Sequence, residues 1–419
     1  MPRRRIECLP KMLGIVLLTA PALQAYSVLT HEAIVDSAWD NSIKPLLLAR
    51  FPTSDPNAVR EAHSYAYAGC IIQDMGYYPF GNRFFTDLVH YVRSGEFVEN
   101  LIRESQNLDE YAFALGSLAH YAADTQGHSV AVNISVPIEY PKLARKYGSV
   151  VTYEENPVDH MRVEFAFDVV QMSRRRYAPE DFREFIGFNV ARDLLNRAFR
   201  DTYSLDLDDL FPNLDLALGT YRYAVGRLIP EMTRVAWKLK KSELKKSSLG
   251  IRRADFVFDL SEASYRKRWS QKYQKSGPGT RILALLISIL PKIGPLKVLS
   301  FQAPTPRTES LFETSFVRTL DEYRHLLQQA GRQDLRLANL DFDTGAPTRP
   351  GEYAMADEAY ANLAIKLSAK QPAAVGADVR QDVLKFFGDP NLPYTIKTRN
   401  PKQWKQTLEA VDKLKAEKD

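Results

Sequence analysis

The chain has only two cysteines in 419 residues, Cys8 and Cys70. Cys8 falls in a stretch that reads as a leader, so a mature chain would keep one thiol and no internal disulfide. That excludes a disulfide-stapled scaffold, and an exported chain of this kind needs some other cross-link, metal ions being the obvious candidate. Strand-like alternation is scarce, which argues against a sandwich or a barrel. Charge of one sign is also in short supply. The formal net charge is +5, and much of it sits at the start, where Arg3, Arg4, Arg5 and Lys11 oppose only Glu7. The remainder is too weakly biased to argue for a nucleic-acid partner or an acidic membrane surface.

What is present begins with a secretory pattern over 1–25. Pro2 to Lys11 forms a basic region, Met12 to Leu18 with Ala20 and Leu23 a short apolar core, and Ala20, Ala22 and Ala25 offer small residues for cleavage. The apolar core is too short to span a bilayer, which needs about 20 residues. An uncleaved anchor is the alternative. The cut itself has two readings, after Ala22 or after Ala25. The expected location is secreted or periplasmic.

Apolar residues recur at helical spacing through 31–48, 56–76, 83–101, 108–126, 156–175, 181–200 and 215–241. Pro and Gly mark breaks at Pro52, Pro56, Pro79–Gly81, Pro137, Pro141, Pro157 and Pro179. The expectation is an all-α, multi-helix domain over 26–240. A basic, polar region with an apolar stretch at 282–290 fills 241–308, and a helical extension covers 309–419, with helix-like stretches near 310–331, 352–388 and 402–417. The nine residues of 282–290 cannot cross a membrane. They read as a buried helix, or as an element flanked by Arg281 and Lys292 that rests on lipid.

Histidine carries the chemistry. Six of the seven histidines lie between positions 31 and 160, interleaved with Asp74, Asp124 and Glu164, and His325 is the exception. In His120-Tyr-Ala-Ala-Asp124-Thr-Gln-Gly-His128, positions four apart share one helix face, so His120 and Asp124 can reach one ion. His160-Met-Arg-Val-Glu164 repeats the arrangement on a second helix. His31, Asp74 and His90 sit on further helices of apolar character. A lone His-x-x-x-carboxylate pair is most often a surface ion pair, but ionisable groups on several otherwise buried faces are costly unless a cation neutralises them. Imidazole with carboxylate suits Zn²⁺.

The order His, Asp, His, His-x-x-x-Asp, His, His-x-x-x-Glu resembles the zinc-dependent phospholipase C family, whose superfamily also takes in the P1/S1-type nucleases and the N-terminal domain of glycosylphosphatidylinositol-specific phospholipase D. The resemblance covers about residues 26–170. It implies a helical bundle holding up to three zinc ions. One would take His90, His120 and Asp124, and a second His128, His160 and Glu164. The third would take His31, Asp74 and the backbone of a mature N-terminal Tyr26, with Asp124 bridging. Asp74 is the implied base or water-orienting group. Tyr77, Tyr78 and Phe80 follow it and are candidates for an apolar substrate pocket, though ordinary packing is the plainer role for each. His63 has no family role; support of a ligand or plain packing are its two readings.

The activity so implied is hydrolysis of phospholipid phosphodiester bonds by metal-activated water, with phospholipid or another phosphodiester as partner and no stable nucleic-acid partner. The resemblance leaves open a phospholipase D-type reaction and a P1-like single-strand nuclease or 3′-nucleotidase. A non-catalytic, zinc-stabilised binding protein is the alternative outside enzymes.

Overall fold

The computed structural model describes residues 27–174, 188–240 apart from positions 231, 234, 238 and 239, and 294–416. The leader at 1–25, Tyr26, and the apolar stretch 282–290 lie outside the described residues. Among those described there are helices and no strand.

The N-terminal helices are α1 (Val28–Ala38), α2 (Lys44–Arg50), α3 (Pro56–Gly69), α4 (Arg83–Tyr91), α5 (Ser94–Glu104), α6 (Leu108–Gly127), α7 (Asn133–Glu139), α8 (Pro141–Tyr147), α9 (Pro157–Ser173), α10 (Arg192–Tyr203) and α11 (Leu214–Tyr223). Their starts are written locally. Asp55, Asn82, Asn107, Asn156 and Asn213 each accept a hydrogen bond from the first turn of the helix that follows, and Pro56 and Pro157 occupy positions where a missing N–H costs nothing.

Two expectations for these N-terminal helices need correction. The stretch 83–101 is two helices, because Arg93 adopts a left-handed backbone (φ 50°) that ends α4 and turns the chain into α5. Its guanidinium is held by Glu96 (2.7 Å) and by the carbonyl of Thr202 (3.0 Å), contacts no local pattern announces. Pro137 does not break the chain but sits inside α7. A proline there strips the carbonyl four residues back of its donor. The Val151 N–H takes its place on Asn133 O at 2.9 Å.

Helix α6 is the buried axis. Its side chains from Tyr111 to Thr125 are nearly all buried, and α1, α2, α3 and α5 pack around it. The α3–α6 crossing is unusually close. A Cβ on Gly69 would overlap the Phe113 carbonyl, and one on Gly116 the Ala66 carbonyl, so both positions need glycine. This approach brings the end of α3 against the middle of α6.

The C-terminal region joins the same core. It comprises α12 (Pro306–Arg332), α13 (Ala354–Ser368), α14 (Ala377–Phe386), α15 (Ile396–Arg399) and α16 (Pro401–Ala416). The stretch 352–388, expected as one helix, is two, separated by a short 3₁₀ turn at Pro372–Ala374. Helix α12 lies along α6, where Tyr323 donates to Leu115 O at 2.8 Å, and α13 packs on α4. One contiguous apolar cluster runs from Val28 to Leu414. The chain between α12 and α13 makes a tight loop, closed by a bridge between Leu340 and Pro347, that reaches the centre of the N-terminal bundle.

Candidate metal centre

Every histidine and carboxylate named for metal in the described residues is buried, and they converge. Three groups lie close enough to hold an ion, with donor atoms mutually within 4.8 Å: His31, His120 and Asp124; Asp74, His90 and His120; and His128, His160 and Glu164. The first two share His120 and form one half of the centre. The third forms the other half.

In the first half, Asp124 is the hub. Its Oδ1 lies 3.0 Å from His31 Nε2, and its Oδ2 lies 3.1 Å from His120 Nε2 and 3.5 Å from His90 Nε2. Asp74 Oδ1 is 3.4 Å from His90 Nε2. The far nitrogen of each ring is fixed by backbone: His90 Nδ1 faces Thr86 O at 3.0 Å, and His120 Nδ1 faces Cys70 O at 3.0 Å. The second contact is what the close α3–α6 crossing delivers. Bonding the far nitrogen to a carbonyl puts the proton there and leaves Nε2 a lone pair. His31 rides on α1, whose leading N–H groups are capped from α9: Asp168 accepts from Leu29 N (2.9 Å), Thr30 N (3.1 Å) and Thr30 Oγ1 (2.6 Å). Asp168 thus ties the first half to the helix that carries the second. Sequence reading passed over it, although His160, Glu164 and Asp168 continue a single four-residue ladder.

In the second half, Glu164 Oε1 lies 2.7 Å from His160 Nδ1 and 3.7 Å from His128 Nε2. His128 Nδ1 donates to Phe342 O at 2.8 Å, and His160 Nε2 faces Asn133 Oδ1 at 2.8 Å. Neither Phe342 nor Asn133 carries a sequence signal for this role.

The donor set fits a divalent cation. Asp74 Oδ1, His90 Nε2, His120 Nε2, Asp124 Oδ2, His128 Nε2, His160 Nδ1 and both oxygens of Glu164 are buried without a hydrogen-bond partner. Seven residues of a native core do not leave so many adjacent polar atoms unsatisfied unless something else binds there. The donors are imidazole nitrogens and carboxylate oxygens, the combination zinc takes.

Protonation differs between the halves. Burial pushes Asp124 up, but His120, His31 and His90 together hold it well below the usual carboxylate range. Burial lowers His90, yet Asp124 and Asp74 outweigh it and raise the ring to about 10; His31 is raised in the same way. Burial, then His128, drives His160 well below the ordinary histidine value. Burial, reinforced by Asp124 and Asp74, lifts Glu164 well above its own.

Residues 30–211 match the family model for zinc-dependent phospholipase C. The match takes in the helices that carry His31 to Glu164 and stops well before the loop that bonds His128. No curated protein and no solved structure matches the chain. The matched region is accompanied here by a C-terminal extension that shares its core.

The remaining sequence candidates separate. Tyr77 lies over the centre, its ring 6.5 Å from His90 and 6.2 Å from Tyr153, which in turn is 5.8 Å from His160. The two tyrosines thus span both halves, and the Tyr77 hydroxyl is buried without a partner. Tyr153 had no signal in the sequence. Tyr78 turns away and packs on Tyr221 at 5.3 Å, and Phe80 points outward, 49 % exposed, on a backbone with φ 63°. His63 stands apart from the metal groups. It stacks on Trp39 at 3.8 Å, and its Nε2 faces Asp36 at 3.0 Å.

Proposed function

We propose that this protein is a zinc-dependent phospholipase C-type hydrolase that cleaves phospholipid phosphodiester bonds. The observation that carries the reading is the set of buried, unpartnered imidazole and carboxylate atoms in three adjacent groups, on the helices that match the family model.

His90, His120, Asp124, Asp74 and His31 would hold metal in the first half, and His128, His160 and Glu164 in the second. When bound, zinc supplies Lewis acidity toward phosphate oxygens and lowers the pKa of water toward about 7. Cys70 O and Thr86 O accept from Nδ1 of His120 and His90 respectively, so Nε2 is the nitrogen that would face a metal ion. Asp124 serves three imidazoles at once and keeps them convergent. Asp74 Oδ1, buried and unpartnered, is placed to orient water or take its proton. Tyr77 and Tyr153 close one side of the centre against solvent, and the Tyr77 hydroxyl is available to a phosphate oxygen; burial keeps that hydroxyl protonated by raising it well above the ordinary phenol value. Export through the 1–25 leader, a zinc-binding Tyr26 terminus and lipid contact through 282–290 belong to the same reading.

The test is hydrolysis by the purified protein, with and without a chelator, of phosphatidylcholine, inositol lipids and single-stranded DNA. The expected result is chelator-sensitive release of a phosphorylated head group from lipid. Chelator-insensitive folding with no hydrolysis of any substrate overturns the enzyme reading. Cleavage of the DNA alone replaces it with the nuclease reading.

A further inference from the structure

We propose that the loop 340–347 of the C-terminal extension is a positioning strap for the divalent-cation group His128–His160–Glu164, with Asp343 and Asn133 as its positioning residues. The inference rests on the zinc reading above and assigns a task to a part of the chain that lies outside the family match.

The loop is rigid by its own bonds. Asp341 N donates to Ala346 O (2.8 Å), Gly345 N to Asp341 O (2.7 Å), and Asp341 Oδ1 accepts from the N–H groups of Asp343 (2.9 Å) and Thr344 (3.1 Å). It is docked on the bundle as well. Ser94 Oγ donates to Leu340 O (2.6 Å), Phe342 N to His90 O (3.3 Å), and the Phe342 ring sits 5.1 Å from His90 and 6.0 Å from His120. Gly345 has φ 71° and passes so near the end of α6 that a Cβ would stand 2.6 Å from Thr125 O. Glycine is required there on both counts.

From this frame two arms reach the second half of the centre. Phe342 O takes the His128 Nδ1 proton at 2.8 Å, with Asp343 Oδ1 3.4 Å from the same nitrogen. Asp343 O takes Asn133 Nδ2 at 2.7 Å, and Asn133 Oδ1 faces His160 Nε2 at 2.8 Å. Asn133 donates through its nitrogen, so its oxygen must accept, and His160 must carry its proton on Nε2. Both rings are thereby left with a bare nitrogen toward Glu164. The Asp343 carboxylate is pinned from two helices, since its Oδ2 accepts from the hydroxyls of Tyr91 on α4 and Tyr353 on the approach to α13. One short loop fixes tautomer and orientation for both imidazoles of the group.

The experiment uses the full chain, stripped with chelator and reloaded with zinc. Ions per chain are counted by mass spectrometry, and affinity is read by competition with a chromophoric chelator. Asp343→Ala and Asn133→Ala are compared with the parent, with His160→Ala as the loss of a ligand, and with Asp357→Ala. Asp357 is a buried C-terminal carboxylate that accepts from Gly351 N and Thr395 N, away from the metal groups. The expected result is that both strap variants bind one ion about 10–100-fold more weakly, with the other sites and the far-ultraviolet spectrum unmoved. Asp357→Ala is expected to lose stability but keep parental affinity at every site. If Asp343→Ala does not fold, Asn133→Ala decides, because it leaves the loop's own anchors in place. Parental affinity in the folded strap variants overturns the proposal, as does an equal loss in Asp357→Ala. A parent chain that binds no zinc fails the zinc reading instead, so the two failures are distinct.

Discussion

The two halves of the centre are built on opposite principles. The first is an ion network: one carboxylate, Asp124, stands against three imidazoles, and protons are drawn onto His90 and His31 while Asp124 stays ionised. In the second, burial pushes Glu164 up and His160 down, each toward its neutral form, and the geometry is supplied by Asn133 and the C-terminal loop. The polar partners of the His90, His120 and Asp124 side chains in the first half all come from within the matched region. The second draws in addition on a loop that lies beyond that region.

The sharpest break of that comparison is Asp124→Asn. In chelator-treated protein at neutral pH, removing one member of a buried charge network is expected to cost about 3 kcal/mol or more of unfolding free energy. The substitution should also abolish zinc binding in the first half. Urea unfolding of the stripped variant measures the first effect, and a cost below about 1 kcal/mol would show that Asp124 is not a working hub. The counterpart is Glu164→Gln. Glutamine mimics a protonated glutamate in shape and charge, so the stripped protein should lose less than about 1 kcal/mol. Zinc loading at the second half should nonetheless fail, because an amide is a poor substitute for a carboxylate ligand. Equal destabilisation by the two substitutions would erase the distinction between the halves.

The halves also differ in how far the sequence discloses them. His120, Asp124, His160 and Glu164 are legible because a helix repeats a face every four residues, so groups able to hold one ion keep a fixed spacing. The same rule extended one step would have found Asp168, whose task is to cap α1 rather than to bind. The supporting contacts follow no such rule. Phe342 meets His128 at a sequence separation of 214, and Asp343 meets Tyr91 at one of 252. A contact of that kind has no period to read. The all-α bundle follows from periodicity, and five of its helices start behind an Asn or Asp that caps the first turn. The left-handed Arg93 and the proline inside α7 escape because each is held by a distant partner, Thr202 O and Val151 N respectively.

Asp87 offers the finest test, since it is a further, largely buried carboxylate, one turn before His90, with Arg83 at 3.7 Å in place of an imidazole. Burial outweighs Arg83 and His90 and raises Asp87 from 3.8 to about 7, with Glu358 and Asp343 adding to the rise. The folded chain therefore binds this proton more tightly than the unfolded chain. The group's contribution to stability is complete below about 3.8 and is lost as pH rises through about 7; above that the buried charge opposes folding. Asp87→Asn removes the charge and should stabilise the stripped protein by about 1–2 kcal/mol at pH 8, a fraction of the full shift because solvent reaches part of the side chain. The gain should shrink as the pH falls toward 5. If chemical denaturation gives the same difference between variant and parent at both pH values, burial does not govern the charge of Asp87. The parallel explanation of Glu164 by burial would then lose its nearest support, and with it the reason for regarding the second half as neutral.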